Sequence, residues 1–342
     1  MYRYIGNKTK LLPYITDKIQ KIVPNGATIC DLMAGTGVVS YALSDIGYRM
    51  ISSDIMTYSK CHLTANLLIH RSPTYNKTEI DGYEKVIDFL NSIEPLEGYF
   101  YKEFSPDGEP VNGCEPRKYF SSDNAKKIDA IRNQINIWTN NRQINEQEEM
   151  LLKNNIIMAV NDVANISGTY GYFLSDLKKN ARNPIKLEPT IFDNKHVMDH
   201  RVIQGFAEEI ASNITADLCY IDPPYMKRQY AANYHILETI ARGDFPEAVG
   251  KSGLRNWWDQ HSKLCTKTKG LDSLRTIIEN MKCDNFIISY SEDGLFTLEQ
   301  LTNLFKDYGT VEVQFIDYNR FKSNGSMLPK KLKEYIICLR RR

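Results

Sequence analysis

Thr28-Ile29-Cys30-Asp31-Leu32-Met33-Ala34-Gly35-Thr36-Gly37 is a short apolar run that ends on an acid and passes into a turn with paired glycines. The run has the length of a buried strand rather than a helix. Apolar residues return at helical spacing from Val38 to Ile46, where Gly47 stops them. Arg49 to Asp54 reads as a second strand closing on an acid, and Tyr58 to Ile69 as a second helix. Strand, helix, strand, helix opens a doubly wound α/β sheet, a fold that binds ligands outside the carboxyl ends of its strands.

Upstream, Leu11, Leu12, Ile15, Ile19 and Ile22 keep helical spacing until Pro24-Asn25-Gly26 breaks it. Downstream, the alternation fails from about Arg71 to Pro189, where helical stretches such as Ala125 to Trp138 flank an aromatic patch rich in Gly and Pro. It resumes with Leu218 to Asp222 as strand, Ala231 to Ala241 and Leu271 to Met281 as helices, Asn285 to Tyr290 as strand and Leu298 to Phe305 as helix. Val311 to Tyr318 and Glu334 to Leu339 read as two antiparallel strands around Asn324-Gly325. The expected organisation is a catalytic domain, 1–70 and 190–342, with a largely helical insertion, 71–189. Within it, Met150 to Val163 is apolar enough to pack, with residues to about 175, on the catalytic core.

Composition sets the outer limits. A hydrophobic fraction of 42% and a charged fraction of 25% are those of a globular protein, and 342 residues suffice for a full core and a second module. No apolar run reaches the length of a membrane span and no signal-peptide order opens the chain, so a cytoplasmic protein without a membrane partner is expected. The seven cysteines are scattered without a CxxC pair, which favours reduced thiols over zinc or disulfides. His235 and His261 lack metal-ligand spacing, so no metal is expected. A net charge of +1 gives no global case for nucleic acid, although a local basic face is compatible with it.

Two loops carry the chemistry. In the first, Gly35 and Gly37 let the backbone turn tightly and approach a ligand without Cβ clashes, and Ala34 beside them is a further donor-site candidate. A dinucleotide site would want a third glycine where Ser40 stands. Asp31 suits a cationic amine better than a pyrophosphate, and Asp54 at the next strand end is placed for ribose hydroxyls. S-Adenosylmethionine, cationic and free of phosphate, fits both carboxylates.

The second loop is Asp222-Pro223-Pro224-Tyr225, directly after the apolar Leu218-Cys219-Tyr220-Ile221. An exocyclic adenine amine is a weak nucleophile because its lone pair is delocalised into the ring. The Asp222 carboxylate and the rigidly held Pro223 carbonyl are two acceptors for its N–H bonds, and Tyr225 offers a face on which the base can stack. In duplex DNA such a base must first be flipped out of the stack. The chain has no Pro-Cys nucleophile, so methylation of a cytosine ring carbon is excluded.

At these residues the chain resembles the DNA adenine-N6 methyltransferases of the Dam-like alpha group. Tyr4-Ile5-Gly6-Asn7-Lys8 opens it, the glycine motif follows, an inserted target recognition region comes next and Asp-Pro-Pro-Tyr comes last. Lys118-Tyr119-Phe120, Ile128 to Arg132, Arg228-Gln229-Tyr230, Asn233-Tyr234-His235 and Leu237-Glu238-Thr239 look closest to the methyltransferases of FokI-type restriction–modification systems. The resemblance implies a Rossmann-like S-adenosylmethionine-dependent sheet, with Tyr4 and Lys8 touching the donor's methionine end. Asp31, Gly35 and Gly37 would cradle the donor, Asp54 would take the ribose, and Asp222, Pro223 and Tyr225 would hold adenine. The acid that commonly faces the donor's adenine is absent near Gln204-Gly205-Phe206, where Phe206 is the candidate stacking partner.

Double-stranded DNA is the implied partner, with a restriction endonuclease possible alongside and no direct contact required. Phosphate-contact candidates are Lys126, Lys127 and Arg132, then Lys178, Lys179 and Arg182, and Lys227 with Arg228 beside the catalytic loop. RNA adenine, the 4-amino group of cytosine, a nicotinamide oxidoreductase and a catalytically inactive DNA binder stay open as alternatives. An Asp-led tetrapeptide, the missing third glycine and the intact acids and glycines weigh against them in turn.

Overall fold

The computed structural model describes residues 6–111, 113–192, 198–319 and 331–342, so Tyr4 and the Asn324-Gly325 turn lie outside the described residues. The chain forms two compact units, each continuous in space but not in sequence.

One unit comprises Lys8–Ile55, His196–Gln229 and His261–Arg342. It is built on seven strands: β1 (Thr28–Asp31), β2 (Arg49–Asp54), β3 (Arg201–Gln204), β4 (Leu218–Ile221), β5 (Asn285–Ser291), β6 (Gly309–Asn319) and β7 (Lys331–Arg341). Their order is β3-β2-β1-β4-β5-β7-β6. β1 to β5 run parallel, and β7 joins β5 antiparallel with β6 outside it. This is the expected α/β class with a Rossmann-like sheet. β4 is buried at every position and β5 at all but its first, which is why both read as largely apolar runs without polar alternation. Leu274, Ile277 and Ile278 of the helix Gly270–Asn280, with Leu301, Leu304 and Phe305 of Leu298–Lys306, belong to one core with Cys219, Ile221, Phe286, Ile288 and Ile337.

The strand order reverses beside β1: the chain runs outward through β2 and β3, then returns to place β4 on β1's other side. Ile29 pairs with Leu218, Cys30 with Cys219 and Asp31 with Tyr220. Asp31 and the loop after Ile221 therefore leave the sheet together, at the switch point where such folds bind ligands.

β3 was not expected from sequence. Its residues are exposed or half-buried, so Arg201–Gln204 carries no apolar run to mark it. Two expected helices are also interrupted. The one from Tyr58 is α-helical over Thr57–Leu63 and then widens into a π turn over Thr64–Leu68, and that from Ala231 is split at Tyr234 into Tyr230–Asn233 and His235–Arg242.

The other unit comprises Met1–Asn7, Met56–Lys195 and Tyr230–Gln260 and is helical. It is cut elsewhere than the expected boundaries near 70 and 190. Thr57–Leu63 and His235–Arg242, which the sequence places in the catalytic domain, pack against Glu146–Val163. A buried carboxylate joins them: Glu238 accepts the backbone N–H groups of Thr57 and Tyr58, and also bonds the side chains of Arg242 and Gln260. A negative charge there also faces the positive end of the helix dipole. Among the described residues no helix is long and apolar enough to cross a membrane.

Glu238→Ala strips an acceptor from two backbone donors, Arg242 and Gln260 at once. We expect it to cost roughly 3 kcal/mol and lower the calorimetric transition by several degrees; an unchanged transition would remove Glu238 from this role.

Candidate active site

Asp31 ends β1 and is 1% exposed. Its Oδ2 accepts a hydrogen bond from the Ser40 hydroxyl at 2.7 Å, and Ser40 in turn accepts from Ser52 at 2.8 Å. Oδ1 has no partner among the described residues. Burial, helped by the charges of Asp222 and Asp54, pushes the Asp31 carboxyl up to about 7, against the pull of Ser40. A buried acid with one unsatisfied oxygen is a seat for a cation. Ser40, noticed in sequence only as a missing glycine, is thus the residue that orients Asp31.

The loop beyond is tied on both sides. Ala34 donates its N–H to the Ser53 carbonyl, and Gly35 donates its N–H to Asp54 Oδ2 at 2.8 Å. Gly37 has φ +81° where it starts the helix Val38–Asp45, a left-handed backbone that an L side chain rarely adopts. Asp54 therefore holds the glycine loop itself, a task the sequence does not reveal. Phe206, half-buried, follows β3 at the same edge, where Gly205 N–H bonds the Asp54 carbonyl. The Asp31 oxygen and this glycine cradle together fit the cationic amine of S-adenosylmethionine.

On the neighbouring strand, Asp222 follows β4 with its side chain 18% exposed. Lys8 Nζ lies 2.8 Å from its Oδ1, and the Tyr225 hydroxyl donates to the same oxygen at 2.9 Å. Both bonds fall on Oδ1, and Oδ2 takes none among the described residues. Burial raises the Asp222 carboxyl, while Lys8 and Tyr225 pull it back. The Lys8 ammonium also stands 4.6 Å from the Tyr225 ring centroid. Tyr225 is held in turn by edge-to-face contact with Tyr290 at 5.0 Å and by its carbonyl, which accepts the Leu295 N–H. Lys8, expected at the donor's methionine end, stands in contact with Asp222. Glu334 on β7, read only as part of a strand, is buried in this same region, and its charge interacts with Lys8 and Asp222.

The basic candidates separate by burial. Lys179, Arg182, Lys227 and Arg228 are exposed. Lys126 pairs with Glu97, Lys127 bonds the Ile93 carbonyl and Lys178 the Ile166 carbonyl. Arg132 corrects its expected role as a phosphate contact. It is buried, donates to the Thr239 and Asp244 carbonyls and lies beside Phe100, because the apolar face of Ser122–Asn140 carries it inward.

Comparison with known proteins adds a family. The D12 class N6 adenine-specific DNA methyltransferases match residues 4–315. The chain is 33% identical to the modification methylase StsI of Streptococcus sanguinis over 99% of its length and 52% of that protein's. It is equally similar to the type II methyltransferase M.FokI of Planomicrobium okeanokoites, with 99% and 52% covered, and to M.NlaIII of Neisseria lactamica, with 94% and 92% covered. The chain thus spans about half the length of two of these three curated relatives.

Asp31 makes stability depend on pH in a stated direction. Its carboxyl rises from 3.8 to about 7 on folding, so between those values the folded protein holds a proton that the unfolded chain has lost, and stability falls as pH rises. Asp31→Asn should therefore stabilise the ligand-free protein at about pH 8, by at most about 4 kcal/mol, and have little effect near pH 4. Urea denaturation at both pH values checks this, and a destabilised variant at about pH 8 would contradict it.

Proposed function

The chain belongs to the D12 class N6 adenine-specific DNA methyltransferase family, and from that premise we propose that it is a site-specific DNA adenine-N6 methyltransferase, the protective methylase of a type II restriction–modification system. The supporting observation is the meeting, at one sheet edge, of the unpartnered Asp31 oxygen with an Asp222 carboxylate whose Oδ2 is open to an incoming amine. The three relatives named above are all modification methylases or type II methyltransferases, which supports the protective role.

S-Adenosylmethionine, when bound, supplies a methyl group activated on a sulfonium. In this reading Asp31 Oδ1 takes its amine, the Ala34–Gly37 backbone lies against it, Asp54 takes the ribose and Phe206 stacks near its adenine. Asp222 Oδ2 and the Pro223 carbonyl accept the two N–H bonds of the target amine, localising its lone pair toward the methyl. Until the base arrives, Lys8 and Tyr225, both on Oδ1, fix the carboxylate's orientation. Asp222 is also the nearest base for the proton that the methylated amine must lose. Duplex DNA delivers the base by flipping, and the exposed Lys227 and Arg228, next to the catalytic loop, contact its phosphates. Lys179 and Arg182 of the helical unit are further phosphate contacts, and residues 71–189 carry target recognition. Such an enzyme works in the cytosol, alongside an endonuclease of matching specificity.

Purified protein incubated with methyl-labelled S-adenosylmethionine and duplex DNA, followed by nucleoside analysis, tests the reading. Label should appear in 6-methyladenine. Asp222→Ala should lower transfer at least about a thousandfold with DNA binding retained, and Asp54→Ala should weaken the donor about tenfold. Label in cytosine, or in RNA alone, would change the substrate class, and full activity of Asp222→Ala would end the mechanism.

A further inference from the structure

We propose that Glu334 is a positioning residue, a second seat for the Lys8 ammonium when the acceptor base takes its place beside Asp222; this rests on the adenine-methylation reading above. Lys8 stands 2.8 Å from Asp222 Oδ1 and 4.6 Å from the centroid of the Tyr225 ring. Those are the carboxylate and the ring that the base needs. Lys8 is only 5% exposed, so an ammonium loosened from Asp222 does not simply pass into water, and inside the protein it requires another anion.

Glu334 meets that need. It lies near the start of β7, paired across the ladder with Ser291 at the carboxyl end of β5, and so at the same sheet edge as Asp222. It is 8% exposed, and Oε2 has no partner among the described residues. A buried carboxylate oxygen without a donor is costly unless a charge comes to it. Burial pushes the Glu334 carboxyl up to about 7, with Asp222 and Asp293 adding to the rise and Lys8 and Ser291 opposing it. The flexible four-carbon stem of lysine lets one ammonium serve two carboxylates in turn, which a guanidinium fork does less readily. With Lys8 drawn toward Glu334, the Tyr225 face and the full charge of Asp222 become available to the base, and no buried charge is left alone.

Glu334→Gln keeps the size of the side chain and removes the charge. Single-turnover methyl transfer should fall about tenfold, with the dissociation constants for donor and DNA unchanged. In a Lys8→Met background the same substitution should cause no further loss. Independent, multiplying losses would overturn the proposal, as would a wild-type rate in Glu334→Gln. A second measurement needs no turnover: carboxyl carbon NMR of Glu334 in ligand-free protein should show its titration moved upward by Lys8→Met, because the cation that favours the charged form is gone. An unmoved titration would overturn the pairing of Lys8 with Glu334. Wild-type protein that labels no adenine would sink the functional reading, and the titration would still decide this one.

Discussion

Parallel pairing of β1 with β4 is the constraint from which the rest follows. The ladder that sets Asp31 against Tyr220 brings two loops from distant parts of the chain to one edge, and each loop begins with an acid. Backbone hydrogen bonds impose this register without regard to side-chain charge. The carboxylates are therefore crowded into a poorly hydrated place by forces larger than their mutual repulsion. The repulsion remains visible in Asp31, which burial and its acidic neighbours hold well above the ordinary carboxylate range.

An edge of this kind is prepared for positive charge. Asp31, Asp222 and Glu334 are all raised by burial. Lys8 offsets part of that excess, and a ligand carrying an ammonium and a sulfonium would offset more. The hydroxyl relay from Ser52 through Ser40 to Asp31, and the grip of Asp54 on Gly35, hold the acids in place before a ligand arrives. That is preorganisation, in which the orienting cost is met during folding rather than during reaction.

The helical unit uses charge differently. Glu238 fastens one helix to the start of another, and Arg132 and Arg117 donate to backbone carbonyls and, for Arg117, to the Glu103 carboxylate. These charges act as cross-links between segments, and the arginines are withdrawn from any polyanion. The basic side chains left at the surface are therefore fewer than the sequence suggests, a consequence of helix faces that a one-dimensional pattern does not resolve.

The sequence by itself determined the strands that are buried on both faces, the antiparallel pair at the end, the glycine turn and the Asp222 loop, because each is a local matter of apolar run, period and turn chemistry. β3 escaped because an edge strand with exposed residues carries no such signal. Only the tertiary structure decided that Lys8 and Tyr225 share one oxygen of Asp222, that Ser40 orients Asp31, and that Glu334 belongs to the same charge cluster. Tertiary packing also took Arg132 inward and gave Thr57–Leu63 and His235–Arg242 to the helical unit. The physical reason is the same throughout. Periodicity records which side of an element is dry, whereas a hydrogen bond or ion pair between residues far apart in the chain depends on strand order and register, which the pattern of a single element does not contain.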